Sequence, residues 1–482
     1  MMAPQSPTAD SSGKASDSTM PETRMQMLTA GSEALRLRAA LIESATESID
    51  LQYYIWNPDP SGRYLLDRLC LAADRGVRIR LLLDGLNVIG HAVLFSALAS
   101  HANADVRVFN PIESRQRLWM PALLRTFRRL NRRMHGKAMI VDAQWCIVGG
   151  RNIGDEYFDL SEGLNFRDRD VVLQGPLVGE VSRMFTAFWQ SPLSVTLAPS
   201  TLPAQHPRSA IHVDDSQSAR AMADGIAGVP ADLHDAKAML GVVQQSMLPA
   251  PAEWVFDPPP ALDETDNAPT PQVCARVVSR LTQNVSRALL IESAYLVLDD
   301  QDLMHIRALI ARQVDIRALT NSLSSNDVIA NHAAYAGRRK AMLAAGLALY
   351  EWRPDAPLDT SSGIRLASHC GRTALHSKTV VFDQEILYVG SLNLNLRSKY
   401  FNAECGLIIR DATLAADVAA EILEGTDATH AWLVKLDTAR RLVWHDGRTH
   451  PGQRRYRHDP QTAWIFRFVS WMISLLGVER FL

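Results

Sequence analysis

Apolar positions along this chain switch between helical spacing and short unbroken runs, and they do so twice in the same order. Glu33 to Glu47 carries the spacing of a helix that feeds a strand at Ile49 to Trp56. Ser61 to Asp74 reads as a second helix, with Ser61 as its cap and Gly76 as its stop, and Val77 to Asp84 is a continuous apolar strand. A helix near His91 to Ala99 and a strand at Val106 to Phe109 extend this β-α-β alternation, which predicts a largely parallel sheet covered by helices on both faces. One more strand is expected at Asn165 to Gly175, followed by a helix at Val178 to Trp189. The second half repeats the plan: strand Ala288 to Leu296, helix Asp299 to Arg312, strand Asp315 to Thr320, helix Asp327 to Ala345 and strand Leu347 to Trp352.

This pattern divides the chain into a polar, Ser/Pro/Thr-rich leader (1–23), a first half (24–196), a Pro-rich linker with short helices (197–271), a second half (272–440) and a tail (441–482). The leader has no apolar run that would serve as a secretory signal. In the tail, Trp464, Phe468, Trp471 and Leu475 recur at helical spacing, with Arg467 and Arg480 as its basic residues. Such a helix either docks on the core or lies in a membrane interface. No stretch reaches the roughly 20 apolar residues that a spanning helix needs.

One short segment occurs in both halves. MHGKAMIVDAQWCIVGGRNIGD, from Met134, is matched by LHSKTVVFDQEILYVGSLNLN, from Leu375. His135, Lys137, Asp142, Gly149 and Asn152 stand opposite His376, Lys378, Asp383, Gly390 and Asn393 at a constant offset. Each copy alternates like a strand, so the His and Lys, two residues apart, project from one face. A single His-x-Lys would be read as a strand end reaching solvent; two matching copies point to chemistry.

Composition narrows the field. The chain has 482 residues, 47% of them hydrophobic, enough for two or three ordinary cores. Fifty basic against 52 acidic side chains give a net charge of −2, so no global basic field advertises nucleic-acid binding. The five cysteines (70, 146, 274, 370 and 405) show neither paired nor zinc-like spacing and are read as reduced core residues.

The duplicated motif resembles that of enzymes which open phosphodiesters, and doing so without metal requires a nucleophile at phosphorus, an acid for the leaving oxygen and fixed positive charge on the non-bridging oxygens. Two histidines and two lysines supply those parts, and imidazole, with a pKa of about 6.5, suits both proton roles. No cofactor is called for. The duplicated H-x-K-x-x-x-x-D pattern with its downstream Gly and Asn resembles the phospholipase D superfamily. Within it, IDLQYYIWNPDPSGRYLLDRL, RGVRIRLLLDG, VRVFNP, LNRRMHGKAMIVD, LTNSLSSNDVIANHAAYAGRRKAML and GSLNLNLRS resemble bacterial cardiolipin synthases, above all the C type.

The resemblance implies an α/β fold of two similar halves, each a mainly parallel sheet, related by a pseudo-twofold with one shared active site. It implies His135 as the nucleophile that forms a phosphohistidine and His376 as the general acid, an order that the motifs alone leave reversible. Lys137, Lys378, Asn152 and Asn393 become phosphate ligands. Asp168 and Glu404 become the carboxylates that orient the histidines, with Asp170 an alternative to Asp168; Asp142 and Asp383 are read as structural members of the signature. Asn321, Ser322, Asn326, Asp327, His332 and Tyr335 are headgroup candidates, and Arg128, Arg129, Arg132 and Arg133 are either a solvated helix face or a lure for anionic lipid. Tyr53 and Tyr54 are read as core aromatics.

The implied reaction is transphosphatidylation, from phosphatidylglycerol or phosphatidylethanolamine to phosphatidylglycerol, at the surface of the bacterial cytoplasmic membrane. An accessory protein is left open. The rival readings are a phospholipase releasing phosphatidic acid, a nuclease of the same superfamily, and a membrane-binding module without activity.

Overall fold

The computed structural model describes residues 22–88, 91–111, 131–197, 229–230, 232–261, 270–357, 371–448 and 454–474. Two large sheets carry the two halves. The first runs Leu248–Pro249, Arg24–Leu28, Asp170–Gln174, Trp145–Gly149, Ala138–Val141, Ser48–Tyr53, Arg78–Asp84, Ala104–Phe109 and Ser194–Thr196 from edge to edge. The second runs Ala252–Phe256, Cys405–Ile409, Ile386–Gly390, Lys378–Phe382, Ala288–Ser293, Asp315–Asn321, Ala348–Trp352, Ala431–Leu436, Leu442–Asp446 and Arg454–Tyr456.

Both sheets are mixed rather than mainly parallel. In each, three neighbouring strands joined by helical crossovers are parallel, and the remaining pairings are antiparallel. The reason is local: each motif strand turns back within three residues, and a connection that short can only make a hairpin. Asp142 and Ala143 have φ of 51° and 53°, and Asp383 and Gln384 have 55° and 57°, the left-handed pair of a tight hairpin turn.

Helices Gly31–Ser44, Pro60–Asp74 and Leu233–Ser246 cover the outer face of the first sheet, and Val273–Gln283, Asp300–Ala311 and Ile329–Ala344 that of the second. Between the sheets, helices Leu177–Trp189 and Ala412–Gly425 share one apolar core with Ile140 and Val148 of one half and Val381 and Leu387 of the other. The two halves are therefore packed as one body.

Several local details differ from the sequence expectation. The cap of the second helix is Asp59, which accepts from the amide of Gly62, with Pro60 opening the helix; a proline at that position gives up no needed donor. Asn165 to Gly175 is two strands, not one. Leu164–Arg167 leaves the first sheet and pairs with Arg372–Leu375 of the second half, so that the chain breaks at Asp168. The Pro-rich stretch between the halves hides two strands: Leu248–Pro249 joins the first sheet and Ala252–Phe256 the second.

Candidate active site

Each motif builds the same frame. The Asp142 carboxylate accepts from the amides of Thr46, Glu47 and Ser48, and Asp383 from those of Ser286, Arg287 and Ala288. These donors hold both carboxyls below the ordinary range against a burial that would raise them. The hairpin aspartates thus clamp the start of the neighbouring strand. The glycines pack closely on the next strand: a Cβ at Gly149 would come within 2.3 Å of Asp170 Oδ1, and one at Gly390 within 2.2 Å of Cys405 O. That closeness brings a carboxylate-bearing strand up against each motif.

The histidines are held crosswise. His135 Nδ1 lies 2.7 Å from Glu404 Oε2 of the second half, and His376 Nδ1 lies 2.6 Å from Asp168 Oδ2 of the first. Their backbones cross too: the His135 amide donates to Ala403 O and the His376 amide to Arg167 O. Neither half holds a complete site, which explains the single shared site. Asp170, the alternative to Asp168, points elsewhere, bonding the buried guanidinium of Arg38 at 2.8 Å. Below the site, Arg169 of the first half pairs with Glu292 and Glu421 of the second, tying the halves together.

Burial and mutual repulsion set the charges. Burial pushes His135 down to about 4, despite Glu404, and pushes His376 down to about 3 with Lys378 adding to the fall. Lys137 falls to about 7 through burial and the neighbouring Lys378, and Lys378 falls to about 8 by burial. Burial would raise both carboxyls, but His135 and Lys137 bring Glu404 to about 2, and Lys378 and His376 hold Asp168 well below the carboxylate range. An anion among these groups would relieve the repulsion and restore the protons.

The remaining candidates divide. Asn393 is buried with its Oδ1 unpartnered, beside Ile291, Val380 and Leu392 in an apolar pocket. Asn152, its counterpart, is used up structurally: Oδ1 accepts from the Ile55 amide and Nδ2 donates to Tyr157 OH. Asn321 is a brace, bonding the carbonyl and amide of Leu375 just ahead of His376. Ser322 bonds Ser324 and Ser325 within its own loop. Tyr335 donates to Glu351, and His332 lies beside Arg339 and Asp459, so both belong to a buried network at the C-terminal strands. Asn326 turns its side chain back to the Val328 amide. Arg133 is buried on Asp84, not displayed to lipid, while Arg128 and Arg129 lie outside the described residues. Among the described residues no cluster of three or more His, Cys, Asp and Glu is arranged to hold a metal.

Some residues were missed. Tyr54 is more than a core aromatic, since it stacks edge-on to His135 at 4.8 Å with the Lys137 ammonium 5.4 Å from its ring. Tyr157 and Phe166 pack on His376 at 5.0 and 5.2 Å. Ser391, Ser398 and Asn402 all donate to Glu404. Ser391 carried a signal, as the residue directly after the motif glycine; the others became visible only through tertiary contact.

Two motif-bearing halves around one crosswise pair of histidine–carboxylate couples define an enzyme of the phospholipase D type. The family described as "Cardiolipin synthase, PLD-like domain" matches residues 39–189 and 279–424, and the chain belongs to that family. It is 34% identical to cardiolipin synthase C of Escherichia coli (strain K12), over 93% of each chain. It is 25% identical to the major cardiolipin synthase of Bacillus subtilis (strain 168), covering 84% of this chain and 69% of that one. Among solved structures, the phosphatidylserine synthase of Haemophilus influenzae Rd KW20 shares the fold, with a TM-score of 0.61 at 15% identity over 96% and 98% of the two chains.

Proposed function

We propose that the chain is a cardiolipin synthase that moves a phosphatidyl group between lipids through a phosphohistidine. His135 Nε2 attacks the phosphorus of a donor phospholipid, the bond to the headgroup alcohol breaks, and that oxygen takes a proton from His376. A glycerol hydroxyl of phosphatidylglycerol then gives its proton to His376 and attacks the same phosphorus, breaking the phosphorus–nitrogen bond and releasing cardiolipin. One phosphodiester is exchanged for another, so no external energy source is needed. Lys137, Lys378 and Asn393 hold the non-bridging oxygens throughout.

The observation that carries this reading is the crosswise coupling, which commits Nδ1 of each ring to a carboxylate and leaves Nε2 for phosphorus and proton. His135 is the better nucleophile of the two. Its carboxylate is fixed by three further donors, whereas His376 Nδ1 also meets the Lys378 ammonium at 2.8 Å. A nucleophile needs one fixed tautomer; an acid that loads and unloads a proton does not. Transfer is favoured over hydrolysis because the rings are 7% and 5% exposed, under Tyr54, Tyr157 and Phe166, which limits the approach of water.

No described helix is long and apolar enough to cross a membrane. We assign the protein to the bacterial cytoplasmic membrane as a peripheral enzyme, with phosphatidylglycerol as acceptor and phosphatidylglycerol or phosphatidylethanolamine as donor. The test is mass spectrometry of lipids after incubation in EDTA with phosphatidylglycerol, with and without phosphatidylethanolamine. Cardiolipin that vanishes in His135→Ala and His376→Ala is the expected result. Phosphatidic acid without cardiolipin would make the enzyme a hydrolase, and no lipid turnover would overturn the reading.

A further inference from the structure

The tail helix Trp464–Ser474 is seated on the second half and yet carries its apolar side chains outward. Trp464 is 68% exposed and Trp471 55%, with Phe466, Phe468 and Met472 close to half exposed, while Ser470 alone is buried. Among the described residues, half of the large exposed apolar side chains lie on this one helix. The helix is not a stray end: it packs along helix Ile329–Ala344, and Asp459, just before it, pairs with the buried Arg339 at 3.0 Å. A helix anchored by its small residue and displaying its large ones is built to meet something apolar.

Charge identifies what it meets. Arg454, Arg455 and Arg457 are exposed on the segment that feeds the helix, and Asp459, already paired, is the one carboxylate between Arg454 and Ser474. Tryptophans and phenylalanines beside uncompensated arginines match the headgroup boundary of an anionic bilayer. No described helix is long and apolar enough to cross one. The seat is also connected to the chemistry. Helix Ile329–Ala344 follows Asp327, whose carboxylate accepts from Tyr295 OH and whose field acts on Lys378. We propose that Trp464–Ser474 is the element by which this protein seats itself on anionic lipid bilayers, holding the active site at the lipid surface. The proposal rests on the lipid-transfer reading for its purpose but not for its test.

The full chain and a Trp464→Ser/Phe468→Ser/Trp471→Ser variant are floated with phosphatidylcholine vesicles, with or without phosphatidylglycerol. Both are also assayed for transfer on short-chain phosphatidylglycerol below its micelle concentration. The variant is expected to bind the mixed vesicles roughly 100-fold more weakly while turning over the dispersed lipid as the parent does. A second variant, Arg454→Ala/Arg455→Ala/Arg457→Ala, leaves the helix intact and should lose the preference for anionic vesicles and its salt sensitivity. Unchanged flotation of the triple helix variant would overturn the proposal. So would equal binding of the parent to neutral and anionic vesicles, or a parent dimer that the variant dissolves, which would assign the face to a second copy. A parent that floats but transfers neither lipid would defeat the enzymatic reading alone.

Discussion

Around His135, the carboxylate Glu404 accepts from Ser391 Oγ at 2.5 Å, Ser398 Oγ at 2.7 Å and Asn402 Nδ2 at 3.2 Å; around His376, Asp168 accepts from the Arg169 amide at 2.8 Å. After one glycine stands Asn393 with its Oδ1 unpartnered, after the other an Asn152 bound to Ile55 and Tyr157. The same motif has thus been finished differently in the two halves. One half-site is braced to hold a fixed tautomer, and the other leaves its ring in contact with a second cation. The frame is duplicated, and the roles are set by the residues that surround it.

Four substitutions probe this inequality. Glu404→Gln removes a charge that three donors point at and should lower transfer roughly 1,000-fold, against roughly 100-fold for Asp168→Asn. Steady-state rates on vesicles check this, and equal losses would break the comparison. Asn393→Ala should cost about 100-fold in kcat with an unchanged melting temperature. Asn152→Ala should instead cost about 1–3 kcal/mol of stability, because it strands the half-buried Ile55 amide and a buried tyrosine hydroxyl; denaturant titration separates the two.

Lys137 sharpens the point about charge. Burial and Lys378 bring it from 10.5 to about 7, so between those values the folded chain binds fewer protons than the unfolded one and stability rises with pH. Lys137→Met should therefore abolish transfer yet raise the melting temperature at neutral pH by roughly 3 °C, and should flatten the rise of stability above pH 7 in thermal melts. The smallest effect belongs to the hairpin aspartates. Asp142→Ala and Asp383→Ala should each cost about 1 kcal/mol, equally in both halves, and lower transfer only as far as stability falls. A large, unequal loss of rate at normal stability would show that one of them does chemistry.

Much of this was legible in the sequence where the physics is local. The alternation before Asp142 and Asp383 and the exact repeat of His, Lys and Gly announced two strands and one duplicated site. The turn-back that makes the sheets mixed was also local, but Asp142-Ala143 and Asp383-Gln384 are not the Asn-Gly pair that usually signals it. Long-range matters were closed to sequence. Asp168 and Glu404 could be named as carboxylates downstream of a motif, yet nothing in the spacing says that each serves the other half's histidine. The surroundings of the headgroup candidates were closed for a related reason: polar residues after a strand end suggest a ligand, and their spacing does not show that Asn321, Tyr335 and His332 bond protein groups. In the Pro-rich connection, Ala252–Phe256 is a strand because Cys405–Ile409 offers it an edge, not because of its own pattern.

The most direct test of the central claim is to trap the intermediate. The parent protein, mixed briefly with labelled phosphatidylglycerol, quenched in base and digested, should yield the His135 peptide carrying a phosphatidyl group, and Glu404→Gln should remove it. An adduct found instead on the His376 peptide of His135→Ala, or on neither histidine, would contradict the assignment of His135 as the nucleophile in a site shared by both halves.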